Sequence, residues 1–301
     1  MSLWKNLGAC LIASWLPIAL AQAQTGLTEQ KVAFDSPEGW AMAYMNVATL
    51  NLGLTPANAR AFGQGRIAAE LSSIPSLTDE QQKVGFGGFK LEDLNQSPIF
   101  GRVRASIGIG WDITAEIAHT PSVAINGARA NGVWGLALSK PLLTTQRWAI
   151  GLRAFGQSGT VTADVTCSAS VANAPVFTSE NPFGCVSPSK DRLTVDHHGG
   201  EITITHSPMA GKIQPWAGWA MTWMTPKVEI NAPLKNTLQQ GVLQSQGHSH
   251  TFSLGFSYSN NEPWGIHLAS SFTPLNVKRS SSNIDGRDDF WNFKVGFSWD
   301  I

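Results

Sequence analysis

The sequence predicts an all-β protein: a transmembrane, antiparallel, up-and-down β-barrel of about ten strands, preceded by one helix. Three observations carry this expectation. Beyond residue 60, apolar residues recur at every second position. Only 14% of the 301 residues are charged, where a soluble domain averages about 25%, yet mean hydropathy is only -0.06. Short and long connections alternate between the periodic segments, as they do when one end of a barrel carries tight turns and the other carries loops. A chain whose strands show one face to lipid and the other to a polar lumen is poor in charge without being hydrophobic in bulk.

The alternation is strict in several places. Val103, Ala105, Ile107 and Ile109 alternate with Arg102, Arg104, Ser106 and Gly108. Trp148, Ile150 and Leu152 alternate with Arg147, Gly151 and Arg153. Phe252, Leu254, Phe256 and Tyr258 oppose Ser253, Gly255, Ser257 and Ser259. A period of two marks a strand with unlike faces. Counting back from the C-terminus gives strands at 62–74, 99–110, 112–121, 131–140, 146–166, 190–207, 212–231, 242–259, 264–278 and 289–301. Eight and twelve strands bound the count. An even number places both barrel termini in the periplasm, and residues 62–301 form the barrel domain. Gly199-Gly200 and Pro226 each precede an apparent change of apolar parity, which a β-bulge would explain.

The N-terminus carries the one long apolar run. Lys5, the apolar stretch Leu7–Ala21 and the small residues Ala19, Ala21 and Ala23 predict a secretory signal peptide over residues 1–23. The apolar core follows Cys10 instead of preceding it, so lipidation of that cysteine is not expected. Cys167 and Cys185 remain in the exported chain and are expected to form one disulfide.

Residues 24–61 are expected to be a periplasmic or plug segment. Ser36, Pro37 and Glu38 form a helix start, with an N-cap, a proline in the first turn and an acid beside the helix dipole. A helix over 37–50 follows, carrying Trp40 and Tyr44. The even-position apolar pattern of Trp40, Met42 and Tyr44 would also suit a strand, and the start signal decides for a helix. It is expected either to enter the periplasmic mouth as a plug or gate, or to lie outside the barrel.

The last strand reads Trp291-Asn-Phe293-Lys-Val295-Gly-Phe297-Ser-Trp299-Asp-Ile301. Its Lys294, Gly296, Trp299 and Ile301 resemble the closing-strand assembly signal of Gram-negative outer-membrane β-barrels, with Ile301 where many members carry Phe. The segments Val84-Gly85-Phe86, Glu92-Asp93-Leu94-Asn95 and Asn181-Pro182-Phe183-Gly184-Cys185 are similar to poorly characterised barrels of that class. The resemblance implies the bacterial outer membrane, with lipid, lipopolysaccharide and the outer-membrane assembly machinery as partners. Trp111, Trp148, Trp264 and Trp299 fall near the short-turn ends, as an aromatic girdle requires.

Arg66, Glu70, Arg102, Arg104, Glu116, Arg147, Arg153, Glu201 and Lys294 share the polar parity and are expected to line the lumen. Their mixed signs suit a salt-bridged interior or a narrow channel, and the function expected is a passive pore or transporter for small solutes. A structural or adhesive surface protein using the 167–185 loop is the alternative. A hydrolase built on Asp196 and His198 is a third reading, set back because no complete motif of barrel proteases or lipid hydrolases is present. His197, His248 and His250 share the parity of neighbouring apolar residues and are expected to face outward. Balanced charge, with 21 basic and 21 acidic residues, argues against nucleic acid. No cofactor or metal is expected.

Overall fold

The computed structural model describes residues 29–206, 212–259, 262–279 and 285–301. The expected signal peptide lies outside the described residues, as do parts of two short connections. Ten antiparallel strands close into one barrel. They are β1 (Gly65–Ser73), β2 (Ile99–Gly110), β3 (Ile113–Thr120), β4 (Ala128–Thr144), β5 (Trp148–Ala163), β6 (His197–His206), β7 (Ile213–Met224), β8 (Gly247–Ser259), β9 (Trp264–Thr273) and β10 (Phe290–Asp300). Each strand pairs with the next in sequence. β1 also pairs with β10, so that Glu70 stands between Arg102 and Gly296 and the ten strands form a closed ring. Closure is what lets a sheet cross hydrocarbon, because every backbone donor and acceptor must find a partner in the protein. Most strands reach the 9–11 or so residues that a tilted crossing takes.

The alternation separates two environments. Leu136, Leu254 and Phe293 are 64%, 66% and 65% exposed on the outer face, and similar side chains stand on the other strands. So large an apolar belt on a closed sheet is a lipid contact. Positions of opposite parity, among them Glu70, Arg102, Thr203, Thr251 and Ser298, are buried inside.

The chain departs from the expected strand ends at the long-loop side, which is external by the usual asymmetry of such barrels. There β4 and β5 rise beyond the belt, and further strands at Asp191–Thr194, Lys227–Leu234 and Thr237–Gln244 extend that wall. Residues 232–241, expected as a loop, mostly belong to the hairpin between the last two. No bulge explains the parity changes. Leu193, Val195, His197, Glu201 and Thr203 all lie buried on one face, and β6 keeps continuous register with β5 and β7. Above the membrane the inward positions are apolar because they pack on a helix with Met42, Ala130 and Val133. Val228 joins that cluster from beyond Pro226.

That helix is α1 (Pro37–Ala48). The Ser36 hydroxyl accepts from the Gly39 amide at 3.1 Å, with Pro37 in the first turn. Ten of its twelve residues are buried, as expected for a helix apolar on all sides. It does not enter the periplasmic mouth. Tyr44 donates to the Pro75 carbonyl at 2.9 Å and Trp40 to the Asp288 carbonyl at 3.1 Å, both at the long-loop end. From there residues 49–61 descend through the lumen, and Phe62 bridges Gly108 near the short-turn end. Glu29–Lys31 pairs in parallel with Val242–Gln244 in the external wall. The barrel strands therefore start and end at the periplasmic side, while Glu29 lies at the opposite end.

Cys167 and Cys185 form a disulfide, buried beside Ala232. It closes the external loop between β5 and β6.

Candidate functional site

The lumen brings together most of the charged residues marked by parity. Arg104 holds Glu70 through two bonds, Nε to Oε2 at 3.0 Å and Nη2 to Oε1 at 2.9 Å. Its Nη1 reaches Glu116 at 2.6 Å, and Arg153 reaches the same Glu116 oxygen at 2.7 Å. Arg102 lies 3.4 Å from Glu70, and Arg153 3.8 Å from Glu201. Lys294 is buried on the same inner face. Removing such charges from water is costly unless each is paired and its remaining hydrogens are also bound.

Those remaining hydrogens go to the descending segment. Arg102 donates to the carbonyls of Thr49 at 2.6 Å and Leu50 at 3.2 Å. Arg104 donates to Leu52 at 2.8 Å, and Arg153 to the Asn51 carbonyl at 2.5 Å. Glu201 accepts from the Gly53 amide at 2.9 Å. Asn51 is the hub. Its side-chain oxygen accepts from Arg102 and Arg104, and its amide nitrogen donates to the Leu136 and Gly156 carbonyls. Its backbone N–H donates to His197 Nε2 at 3.2 Å. His197 is thus a neutral imidazole with its proton on Nδ1, which donates to Asn46 Oδ1 at 2.9 Å.

Glycine gives the segment its room. A side chain at Gly151 would stand 2.4 Å from Ala57, and one at Gly296 would stand 2.6 Å from Leu54. Lower down, Thr114 donates to the Asn58 carbonyl at 3.4 Å, and Arg60 meets Asp300 at 2.9 Å. A polar space of about 220 Å³ remains at the short-turn end, bordered by Asn58, Arg66, Glu116 and His267.

Other expected residues lie elsewhere. Arg147 does not line the lumen: it is exposed in the turn between β4 and β5, where parity no longer decides a side. Trp111, Trp148, Trp264 and Trp299 stand at the short-turn end, with Trp264 and Trp299 directly opposite each other. Gly296 faces inward under Leu54, and the Ile301 backbone pairs with Gly65. Trp40 and Tyr44 pack against each other at 5.3 Å in the external mouth.

His197 is luminal, not outward-facing. Asp196 accepts from the Gly159 amide at 3.1 Å, while His198 stacks on Trp223 on the lipid side. Asp196 and His198 are two residues apart and share one face by parity, but each is engaged by a different neighbour, Asp196 by the Gly159 amide and His198 by the Trp223 ring. His250 stacks on Trp219, and His119 on Trp134. Together with Trp291 these rings form a second girdle, toward the long-loop end. Its signal was the outward parity of Trp134, Trp219, Trp223 and Trp291 near the upper strand ends.

No protein-family model matches the chain, and no curated protein matches it. Among solved structures, it is similar to the outer-membrane protease OmpT from Escherichia coli, with a TM-score of 0.44, 9% identity and coverage of 83% of this chain and 100% of that one. It is also similar to Ail, the attachment invasion locus protein of Yersinia pestis, with a TM-score of 0.30, 6% identity and coverage of 80% and 99%. A third is the outer membrane protein OprG from Pseudomonas aeruginosa, with a TM-score of 0.29, 12% identity and coverage of 82% and 99%. Likenesses this distant carry nothing about activity. The closed sheet, its apolar belt and the aromatic rings at both rims make this chain an outer-membrane β-barrel.

Proposed function

We propose that the protein is a gated transporter for small solutes, with residues 37–61 as the plug. The observation that carries this reading is the placement of residues 49–61 along the barrel axis, bonded to Arg102, Arg104, Arg153 and Glu201 of the wall. A permanently open pore does not suit a lumen filled in this way. The luminal part of the plug, residues 49–61, contacts the wall largely through hydrogen bonds and an ion pair. These can exchange with water when it shifts, whereas the wall strands are held by their ladders. The polar space beside Asn58 gives a displaced plug somewhere to start. On this reading the closing strand, with Lys294, Gly296, Trp299 and Ile301, is the segment read by the assembly machinery, and the external girdle meets lipopolysaccharide.

The test is planar-bilayer recording of an Asn58→Cys/Thr114→Cys variant in a Cys167→Ser/Cys185→Ser background. A short cleavable bismaleimide should silence openings, and cleaving it should restore them. Openings that persist while the plug is tethered would exclude gating by this segment.

A further inference from the structure

Near the external end of the lumen lies a cavity of about 790 Å³. Its inner wall is apolar: Tyr44, Met45 and Ala48 of α1 face Ala130, Leu193 and Val195. Its lining also includes Leu71 and Val103, which stand on the lipid side of β1 and β2. A cavity lined from both sides of a closed sheet needs an interrupted seam, and one exists. The β2–β3 ladder ends at Val103 opposite His119, although β2 begins four residues earlier, at Ile99. Beyond Thr120 the chain turns away from β2 and folds into a small hairpin against β4, with Asn126 and Gly127 at its tip. The upper four residues of β2 therefore pair with β1 alone among the barrel strands.

Two of the polar atoms on this lining stand out. The Gln96 side-chain oxygen and the Thr120 hydroxyl are buried and have no hydrogen-bond partner, and both residues border the cavity. Buried polar atoms are rarely left unmatched, and each such atom needs a cause. Apolar pockets with one or two fixed polar groups take ligands that are apolar along their length and polar at one point. The unmatched amide oxygen needs a donor, and the hydroxyl can supply or accept a further bond. Glu70 and Arg102 also border the space; they lie 3.4 Å apart and are engaged in the luminal network. Arg129 is exposed at the edge, so the buried lining leaves no unmatched charge for a charged head group. A neutral hydroxyl fits both conditions.

We propose that this cavity is a binding site for a small neutral amphiphile, an alkyl or aryl alcohol, which reaches it sideways through the open seam between β2 and β3. The hydrocarbon part lies against α1, Leu193 and Val195, and the hydroxyl donates to Gln96 and meets Thr120. The site needs no open lumen, so its binding is read independently of conductance.

The test is calorimetric titration of the full barrel in lipid nanodiscs with 1-decanol, against empty nanodiscs and against decyl methyl ether, which cannot donate. Wild-type protein should take up 1-decanol saturably, one per barrel, about tenfold more tightly than the ether, the fold-change of one hydrogen bond. Gln96→Leu/Thr120→Val should bind the two equally. Ala130→Trp, which fills the cavity, should abolish uptake; if that variant does not fold, Ala48→Leu should weaken it. Uptake no greater than that of empty nanodiscs, or unchanged in the filled variants, would overturn the site. Equal binding of alcohol and ether by the wild type would overturn the assigned head group.

Discussion

Arg102, on the barrel wall, donates to the carbonyl of Thr49, the C-terminal cap of α1, at 2.6 Å. A helix end leaves carbonyls without intrahelical partners and carries partial negative charge. α1 has no basic residue in its last turn, so the cation comes from the wall, 53 residues away. The end of the helix and the start of the luminal segment are thus fixed by one side chain.

Replacing that side chain tests how strongly the wall holds the segment. Arg102→Met leaves the Thr49 and Leu50 carbonyls and Gln157 short of a donor and removes a cation near Glu70. Breaking a buried charge network from one side costs about 3–5 kcal/mol. Urea unfolding in liposomes should show a loss of that order, and bilayer recordings should show longer openings. Unchanged unfolding and unchanged gating would mean that the contact holds nothing.

The threading of the chain predicts an unusual topology. Glu29 should be external, beside Val242, whereas Asp112 sits in a short turn at the periplasmic end. In intact cells, a membrane-impermeant maleimide should label Glu29→Cys and Thr237→Cys but spare Asp112→Cys until the cells are permeabilised. Protection of Glu29→Cys alongside labelling of Thr237→Cys would contradict the threading.

The external loops should carry a pH dependence of known sign. Burial pushes the Glu92 carboxyl up to about 7, with Lys90 opposing the shift. A carboxyl raised above its unfolded value of 4.5 binds an extra proton in the folded state. Its stabilising effect is full below that value and is lost as pH rises to about 7. Hydrogen exchange in residues 83–92 should therefore speed up over this window in wild type more than in Glu92→Gln. Identical pH profiles would count against a buried, protonated Glu92.

The disulfide makes a further prediction. Closing the Cys167–Cys185 loop limits the unfolded chain and contributes about 3 kcal/mol. Cys167→Ser/Cys185→Ser should raise hydrogen exchange at the backbone amides of positions 181 and 185, whose mutual bonds order the loop, and leave the β9–β10 ladder unchanged. An effect spread evenly through the barrel would show that the loop is not a separate unit.

The barrel was legible in the sequence because alternation is local. Arg102, Arg104, Glu116, Arg153 and Glu201 could be assigned to the inside from neighbours two residues away. Arg147 obeyed the same parity and still lies outside the lumen, because parity gives a face and not a depth. His197 misled for a related reason: Leu193 and Val195 are apolar and inward, since above the belt the inner face meets α1 instead of a polar space. The course of residues 49–61 was not legible. The segment has no period, and its path depends on groups more than fifty residues away, such as those around Asn51. Ser36 and Pro37 announced the helix, but nothing local said which mouth it occupies.

On the proposed reading, residues 37–61 close the lumen from within. Single-channel conductance of the barrel lacking residues 24–55, compared with the full chain under the same voltage and salt, tests it most directly. The full chain should show brief, infrequent openings, and the shortened barrel a steady open level. Equal conductance and equal open times in the two proteins would mean that this segment does not close the lumen.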